Sequence, residues 1–332
     1  MRYFVTGTAG FIGFHLARRL LAEGHEVTGF DGVTDYYDVT LKRARLAILG
    51  RESSFVPIDA RLEDGAALAS ALEQAQAEIV VHLAAQAGVR YSIEQPQTYV
   101  QSNLVGTATL LEALRQFPPR HLLFASSSSV YGGNSKIPFS ETDRADAPVS
   151  LYAATKKAGE EMVHAHAHLW GMPASCARLF TVYGPWGRPD MALFRFVERM
   201  LNGQFIDVYG QGRMRRDFTF VDDVVDALIR LAERPPVAGE RLGHDSLSEV
   251  APFRTVNIAG GQPVELIDFI QAIEAATGLQ AKLNMLPMQA GDVTATQADI
   301  SLLRELIGPV PHTSVNEGVA RFVEWYRGYY GS

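Results

Sequence analysis

Two periods alternate along the first half of this chain. A short apolar run at residues 3–6 fits a buried strand. A glycine-rich turn at 7–13 follows, and residues 15–22 then repeat their apolar positions at helical spacing up to Gly24. The exchange recurs, with strands predicted at 25–30, 54–58, 79–83, 121–125 and 174–179 and helices at 66–76, 97–116 and 150–170. Strands alternating with helices predict an α/β fold, a doubly wound parallel (Rossmann) sheet covered on both faces.

The pattern loosens after about residue 184. Turn-rich pieces, Gly184-Pro185-Trp186-Gly187 and Gly210-Gln211-Gly212, alternate there with short helices. Residues 233–252, with Pro235-Pro236 and few apolar positions, predict a surface loop or insertion. Residues 221–232, with Asp222 and Asp223 in the first turn, predict a helix returning to the first domain. The expected division is a dinucleotide-binding domain over 1–183 that also receives roughly 215–232 and 255–260. A smaller interleaved α/β lobe for substrate occupies most of 184–332. No internal repeat interrupts the pattern.

Composition narrows the class. With 47% hydrophobic and 20% charged residues over 332 positions, the chain can bury a sizeable core. A net charge of -7 argues against a nucleic-acid partner. It leaves room for a small anion held by a few arginines. The single cysteine, Cys176, excludes an internal disulfide framework. No apolar run reaches the length of a membrane span, so no membrane partner is expected. Met1 runs straight into the first predicted strand, so no targeting segment is expected and cytoplasm is the expected location.

The turn after the first strand carries Gly7, Gly10, Phe11, Ile12 and Gly13, with the glycines spaced Gly-x-x-Gly-x-x-Gly. Between a strand and a helix, this spacing allows a tight turn and close backbone approach to a pyrophosphate at the helix N-terminus. Asp31 ends the second strand, where a carboxylate accepts from both ribose hydroxyls and repels a 2′-phosphate. The expected cofactor is therefore NAD. Asp59, ending the third strand, is a further candidate for the adenine edge, and a helix-capping role is the alternative.

Tyr152 and Lys156 stand four apart on one predicted helix face, after the run Ser126-Ser127-Ser128-Ser129. A free tyrosine is a poor base at neutral pH. A nearby ammonium favours the phenolate and brings its pKa toward the working range. Such a pair also arises by chance on many helices, so its weight comes from its surroundings. His164, His166 and His168 splay around the same helix and make poor joint ligands, so no metal is expected.

The glycine loop, the Leu83-Ala84-Ala85 strand end, the serine run and Tyr-x-x-x-Lys, in this order, resemble the extended short-chain dehydrogenase/reductases. Within them the chain is most similar to NAD-dependent nucleotide-sugar epimerases of the UDP-glucuronate 4-epimerase type. Asp35-Tyr36-Tyr37-Asp38, the stretch from His82 to Ser92, the stretch from Phe180 to Ala192, the stretch from Arg216 to Asp223, and 289–293 carry that likeness. Thr8 and Ala9 in the glycine loop and Ala290 are small departures.

The resemblance implies oxidation at C4 of a UDP-sugar. Tyr152 would take the hydroxyl proton, Ser127 would bond the O4 region, and Lys156 would hold the phenolate and the nicotinamide ribose. It places Leu83, Ala84 and Ala85 beside the cofactor, Arg216 on the substrate diphosphate, and Asp292 near the substrate ribose or diphosphate. It also implies a homodimer through a four-helix bundle, with Leu104, Leu110, Leu111, Leu114, Met162 and Val163 as apolar candidates; packing within one chain is the alternative. Related dehydratases and decarboxylases carry acidic residues where this chain has Ser128 and Ser129, so epimerisation is expected. A uronic acid oxidised at C4 becomes a β-keto acid prone to lose CO2, so its carboxylate must be held. Arg188 is the leading candidate, with Thr181, Ser128, Ser129 and Arg90 as further contacts. Phe196, Val208 and Tyr209 are candidates for a uracil pocket or for core packing. A neutral-sugar 4-epimerase, a UDP-glucuronate decarboxylase and a non-catalytic scaffold are the competing expectations.

Overall fold

The computed structural model describes residues 1–288 and 293–331. Strand β1 (Arg2–Thr6) leads into α1 (Phe11–Ala22), followed by β2 (Glu26–Asp31), α2 (Val39–Leu49), β3 (Phe55–Asp59), α3 (Gly65–Ala75) and β4 (Ile79–His82). Next come α4 (Tyr91–Glu94), α5 (Pro96–Tyr99), a π-helical segment Val100–Val105, α6 (Gly106–Gln116), β5 (His121–Ser127), α7 (Leu151–Trp170) and β6 (Ala174–Leu179). The remainder comprises β7 (Thr181–Tyr183), α8 (Ala192–Leu201), β8 (Phe205–Tyr209), β9 (Arg215–Phe220), α9 (Val221–Ala232) and β10 (Phe253–Ile258). It closes with β11 (Pro263–Glu265), α10 (Leu266–Thr277), β12 (Lys282–Leu286), α11 (Ser301–Ile307) and α12 (Val315–Tyr330).

The main sheet runs β10-β6-β5-β4-β1-β2-β3, every neighbouring pair parallel. This is the expected doubly wound sheet. Both faces are covered, so its strands are apolar on both sides. Tyr3 and Val5 pack on one face with Leu16, Leu20, Val224 and Leu228. Phe4 packs on the other with Leu110, Leu114, Phe124 and Val163. The strand order reverses between β1 and β4, and ligands of such sheets bind beyond the strand C-termini at that point.

Helix α2 and the helix expected at 97–116 differ from expectation. Helix α2 was not foreseen, because its buried face includes Lys42 and Arg45 as well as Leu41 and Leu49. Two cations on the inner face erase the apolar period. The single helix expected at 97–116 is broken into α5, a π-helical segment and α6. Pro96 starts α5. Buried Asn103, inside the π segment, donates to the Gln86 carbonyl at 3.0 Å and accepts from the Gln86 N–H at 2.8 Å. Its amide also donates to Thr155 Oγ1 at 3.0 Å. The extra residue per turn lets one side chain serve both the β4 exit and α7.

The second half is also more regular than its sequence pattern. Two small sheets, β11-β9-β7 and β12-β8, and the 16-residue α12 occupy it. Residues 215–220 form β9 in the three-stranded sheet, whereas β10 joins the main sheet beside β6. Of the six apolar candidates for a subunit contact, Leu110, Leu111, Leu114 and Val163 are buried in this chain's own core. No described helix is long and apolar enough to cross a membrane.

Candidate active site

The C-terminal ends of β1, β4, β5 and β6 open into one cavity of ≈ 870 Å³. Gly7, Gly10, Phe11, Ile12, Gly13, Asp31, Leu83, Ala84 and Ala85 line it. At Gly7 the backbone has φ +82, and a Cβ would stand 2.8 Å from the Ala84 nitrogen. Only glycine permits that turn and that approach of β1 to the β4 exit. Asp31 accepts from the Ala9 N–H at 2.9 Å and from the Val33 N–H at 2.8 Å. Burial raises its pKa, while these two N–H groups pull it down. Asp59 is exposed at the end of β3 and lies outside the lining; Arg61, Leu62 and Glu63 form the wall there. The chain doubles back after β3, so residues two to four positions later reach the cleft.

The serine run and the tyrosine helix meet at the middle of the cavity. Ser150 caps α7 by accepting from the Ala153 N–H at 3.1 Å. The helix lies close on β5 because a Cβ at Gly159 would stand 2.4 Å from the Phe124 ring. Ser127, Ser128, Ser129, Tyr152 and Lys156 all line the cavity. Burial raises the Tyr152 pKa, opposed by a hydrogen bond with Ser127 and by the charge of Arg188. The expectation that Lys156 acts on the phenol finds a different geometry. Its Nζ donates to the Ala125 carbonyl at 2.7 Å, and burial lowers its pKa to about 8. The downward pull on Tyr152 thus comes from Ser127 and Arg188.

Glu160 and Arg178 hold this centre from behind. Arg178 forks onto Glu160 with distances of 2.8 and 2.9 Å. Ser126 donates to the same carboxylate at 2.6 Å. Burial pushes the Glu160 carboxyl up, but the Arg178 bonds and charge outweigh it and hold the pKa below its ordinary value.

Thr181, Arg188, Arg90, Arg216, Phe196 and Tyr209 line the far end. Val208 is fully buried in the core and does not. Arg188 forks onto Asp190, Nε at 2.9 Å and Nη2 at 2.6 Å. Tyr36 donates to the same carboxylate at 3.1 Å. Burial pushes Asp190 up, but the Arg188 charge outweighs it and keeps the carboxyl ionised at a lowered pKa. Arg90 stacks over the Tyr209 ring at 4.7 Å, joining the first domain to the lobe across the cleft. Asp292 lies outside the described residues. The three helix histidines serve structure: His164 bonds Ser248, His168 bonds the Val250 carbonyl, and His166 packs on Trp170. Among the described residues no cluster suited to a metal ion occurs.

This cavity, with its glycine turn, the Asp31 carboxylate and Ser127, Tyr152 and Lys156 on its wall, has known counterparts. Residues 3–242 match the NAD dependent epimerase/dehydratase family. The chain belongs to that family. Among other members, it is 58% identical over 330 residues to a Rhizobium meliloti protein named "Probable UDP-glucuronate 4-epimerase", spanning 98% of this chain and 97% of that one. UDP-glucuronate 4-epimerase 3 of Arabidopsis thaliana is 43% identical, spanning 98% of this chain and 76% of that one. Among solved structures, UDP-glucuronic acid 4-epimerase from Bacillus cereus, in complex with UDP-glucuronic acid and NAD, superposes with a TM-score of 0.89. It is 32% identical and covers 99% of this chain and 100% of that one. The cavity of this epimerase/dehydratase family member suits NAD. The Gly7 turn leaves a cradle that a Cβ would fill, and Asp31 sits with its carboxylate fixed by two backbone N–H groups.

Several site residues carried no sequence signal of their own. Lys42 lines the cavity near Asp31 and donates to the Thr34 carbonyl at 2.6 Å. Asp190 lies in the stretch from Phe180 to Ala192, and its role depends on a fork to Arg188 that spacing alone does not show. Behind the lining, Asp217 accepts from the N–H groups of Gly260, Gly261 and Ala298, all at 3.1 Å, which ties β9 to the segment after β10 and to the one before α11.

Proposed function

We propose that the protein interconverts UDP-glucuronate and UDP-galacturonate by epimerisation at C4 through a transient 4-keto sugar. One observation carries this reading: Ser127, Tyr152 and Lys156 share a cavity wall with Arg188, while serines occupy positions 128 and 129. The likeness to the Bacillus cereus enzyme and its ligands supports it.

NAD held by the Gly7 turn and Asp31 would supply the hydride acceptor for C4 and the hydride donor for the turned sugar. Tyr152 takes the proton from the C4 hydroxyl and gives it back after the sugar has turned. Ser127 bonds the phenol and passes that proton between O4 and Tyr152. Lys156 holds its ammonium at the Ala125 carbonyl, near the end of β5, and would hold the nicotinamide ribose from there. Ser128 and Ser129 offer hydroxyl donors and no carboxylate, so neither an elimination nor a decarboxylation gains an acid or base from them. Arg188 holds the C6 carboxylate, aided by Thr181. Asp190 occupies the Nε–Nη2 side of the guanidinium and leaves its remaining N–H groups for the substrate. Arg216 and Arg90 take the diphosphate end, and Phe196 and Tyr209 take the uracil.

The segment from 184 onward contributes most of the nucleotide-sugar contacts in this reading. A cytoplasmic homodimer fits it as well. Val105 near α6 and Leu169 and Trp170 on α7 are exposed apolar positions on the helices that would pair. Size-exclusion chromatography with light scattering at a dimer mass supports that part, and a monomer mass refutes it.

The test is incubation of the purified protein with UDP-glucuronate, with chromatography of products. UDP-galacturonate as the main product supports the reading. UDP-pentose with CO2 in its place indicates a decarboxylase. Faster turnover of UDP-glucose or UDP-xylose indicates a neutral-sugar epimerase.

A further inference from the structure

Arg45 on α2 is fully buried, and among the described residues its direct hydrogen-bond partners include no carboxylate. Its Nη1 donates to the Ala9 carbonyl at 2.7 Å and to the Tyr37 hydroxyl at 2.7 Å. Its Nη2 donates to the Trp186 carbonyl at 2.6 Å, with the Gly187 carbonyl at 3.4 Å. Among the described residues its Nε has no hydrogen-bond partner. A buried cation whose direct hydrogen-bond partners are all neutral, with only the more distant charges of Asp31 and Asp38 to offset it, is costly, and a methionine or leucine would fill that space without the cost. A reason for the guanidinium therefore lies in what it joins.

It joins two segments that are far apart in sequence. Ala9 belongs to the glycine turn, and its N–H donates to Asp31. Trp186 and Gly187 directly precede Arg188. Trp186 has φ 59, a left-handed conformation that a bulky aromatic residue rarely adopts. That backbone is over-determined. His15 Nε2 stands 2.8 Å from the Pro185 carbonyl, and the Trp186 ring packs against Phe14, Trp325 and Tyr329. A continuous path therefore runs from Asp31 through Ala9, Arg45 and Trp186-Gly187 to Arg188 and Asp190.

We propose that Arg45 is a positioning residue that holds the carboxylate arm, Arg188, in register with the cofactor turn. This rests on the uronate reading above. The register matters because the 4-keto uronate partitions. Held, it turns and is reduced to the epimer. Released, its C5–C6 bond breaks and CO2 leaves. The bonding electron pair passes into the C4 enolate, C5 is protonated, and return of the hydride to C4 gives a UDP-pentose with NAD regenerated. An arm displaced by a fraction of an ångström shifts that partition, since small misplacements cost large factors in rate.

The experiment compares parent, Arg45→Met and Arg45→Lys at equal bound NAD, measured by extracting the nucleotide from gel-filtered protein. With UDP-glucuronate at saturating NAD, Arg45→Met is expected to raise the ratio of UDP-pentose to UDP-galacturonate about tenfold, with KM for UDP-glucuronate rising and NAD Kd rising in parallel. Arg45→Lys, whose ammonium cannot span both segments, is expected to fall between. If neither variant folds, Tyr37→Phe removes one partner of the guanidinium and is expected to move the ratio the same way by a smaller factor. An unchanged partition ratio in NAD-loaded variants overturns the proposal, as does an equal loss on UDP-glucuronate and UDP-glucose. A parent that makes no UDP-galacturonate overturns the functional reading, and this inference with it.

Discussion

Glu160→Gln removes the charge from a buried ion pair while keeping its shape, and its cost follows from the geometry. Glu160 and Arg178 are 2% and 3% exposed. Breaking such a pair by neutralising one member leaves a buried, uncompensated cation, worth about 3–5 kcal/mol. Ser126 also loses its charged acceptor, 2.6 Å away. An unfolding entropy of about 2.1 cal/mol/K per residue amounts to roughly 0.7 kcal/mol/K for 332 residues unfolding together. The expected drop in Tm is therefore about 4–7 °C.

Calorimetry at matched scan rate, protein concentration and free NAD measures it, because both irreversibility and ligand binding move Tm. Replacing both partners, Glu160→Leu with Arg178→Met, should recover most of the loss, since two apolar groups of similar volume leave no charge stranded. The pH dependence has a definite sign. The folded pKa of Glu160 lies below its ordinary 4.5, so the pair contributes above that value and is lost as pH falls through the folded pKa. The gap between parent and Glu160→Gln should close below about pH 4.5. A Tm change under about 1 °C at neutral pH, or a double variant as unstable as the two single changes added together, refutes the reasoning.

Three further outcomes bear on the chemistry. Tyr152→Phe should lower kcat by about 10²–10⁴ with bound NAD unchanged, because it removes only the group that moves the proton; parent-like turnover ends the catalytic assignment. Lys156 has its pKa lowered to about 8 by burial, so its charge is lost as pH rises through that value and turnover should decline on the alkaline side. Lys156→Arg stays charged, so a pH–rate profile keeping the same decline would disconnect it from this residue. Arg188→Ala should cut kcat/KM for UDP-glucuronate by about 10²-fold, the value of a charge-assisted contact, and raise UDP-pentose release; equal loss on UDP-glucose would remove its carboxylate role.

Much of the nucleotide half was legible because its signals are local. A strand, a glycine turn and a helix follow within 22 residues, and Asp31 closes the next strand. The Tyr152–Lys156 face needs only helical spacing. What escaped depends on partners distant in the chain. Helix α2 reads as irregular because Arg45 takes its acceptors from Ala9 and from Trp186, 141 residues away. The break in the helix at 97–116 follows from Asn103 reaching Gln86 and Thr155, contacts with no period in the sequence. Asp59 fell outside the cavity because the strand end alone does not tell where the next loop turns.

The Tyr152–Lys156 pair illustrates the limit most sharply. Spacing alone predicts an ammonium that lowers the phenol's pKa. Spacing says nothing of the Ala125 carbonyl at the end of β5, which takes the Lys156 ammonium at 2.7 Å. Nor does it reveal that Arg188, brought in from the loop after β7, adds a charge that pulls the Tyr152 pKa down. Under the proposed function, a substrate carboxylate bound to Arg188 would offset that charge and weaken one of the pulls on Tyr152. Ser127 remains as the pull that does not depend on the substrate's charge. The Ser126–Glu160–Arg178 bonds behind it fix that end of β5 against α7. Serines rather than carboxylates at 128 and 129 are consistent with the same balance, since a negative charge there would raise the Tyr152 pKa still further.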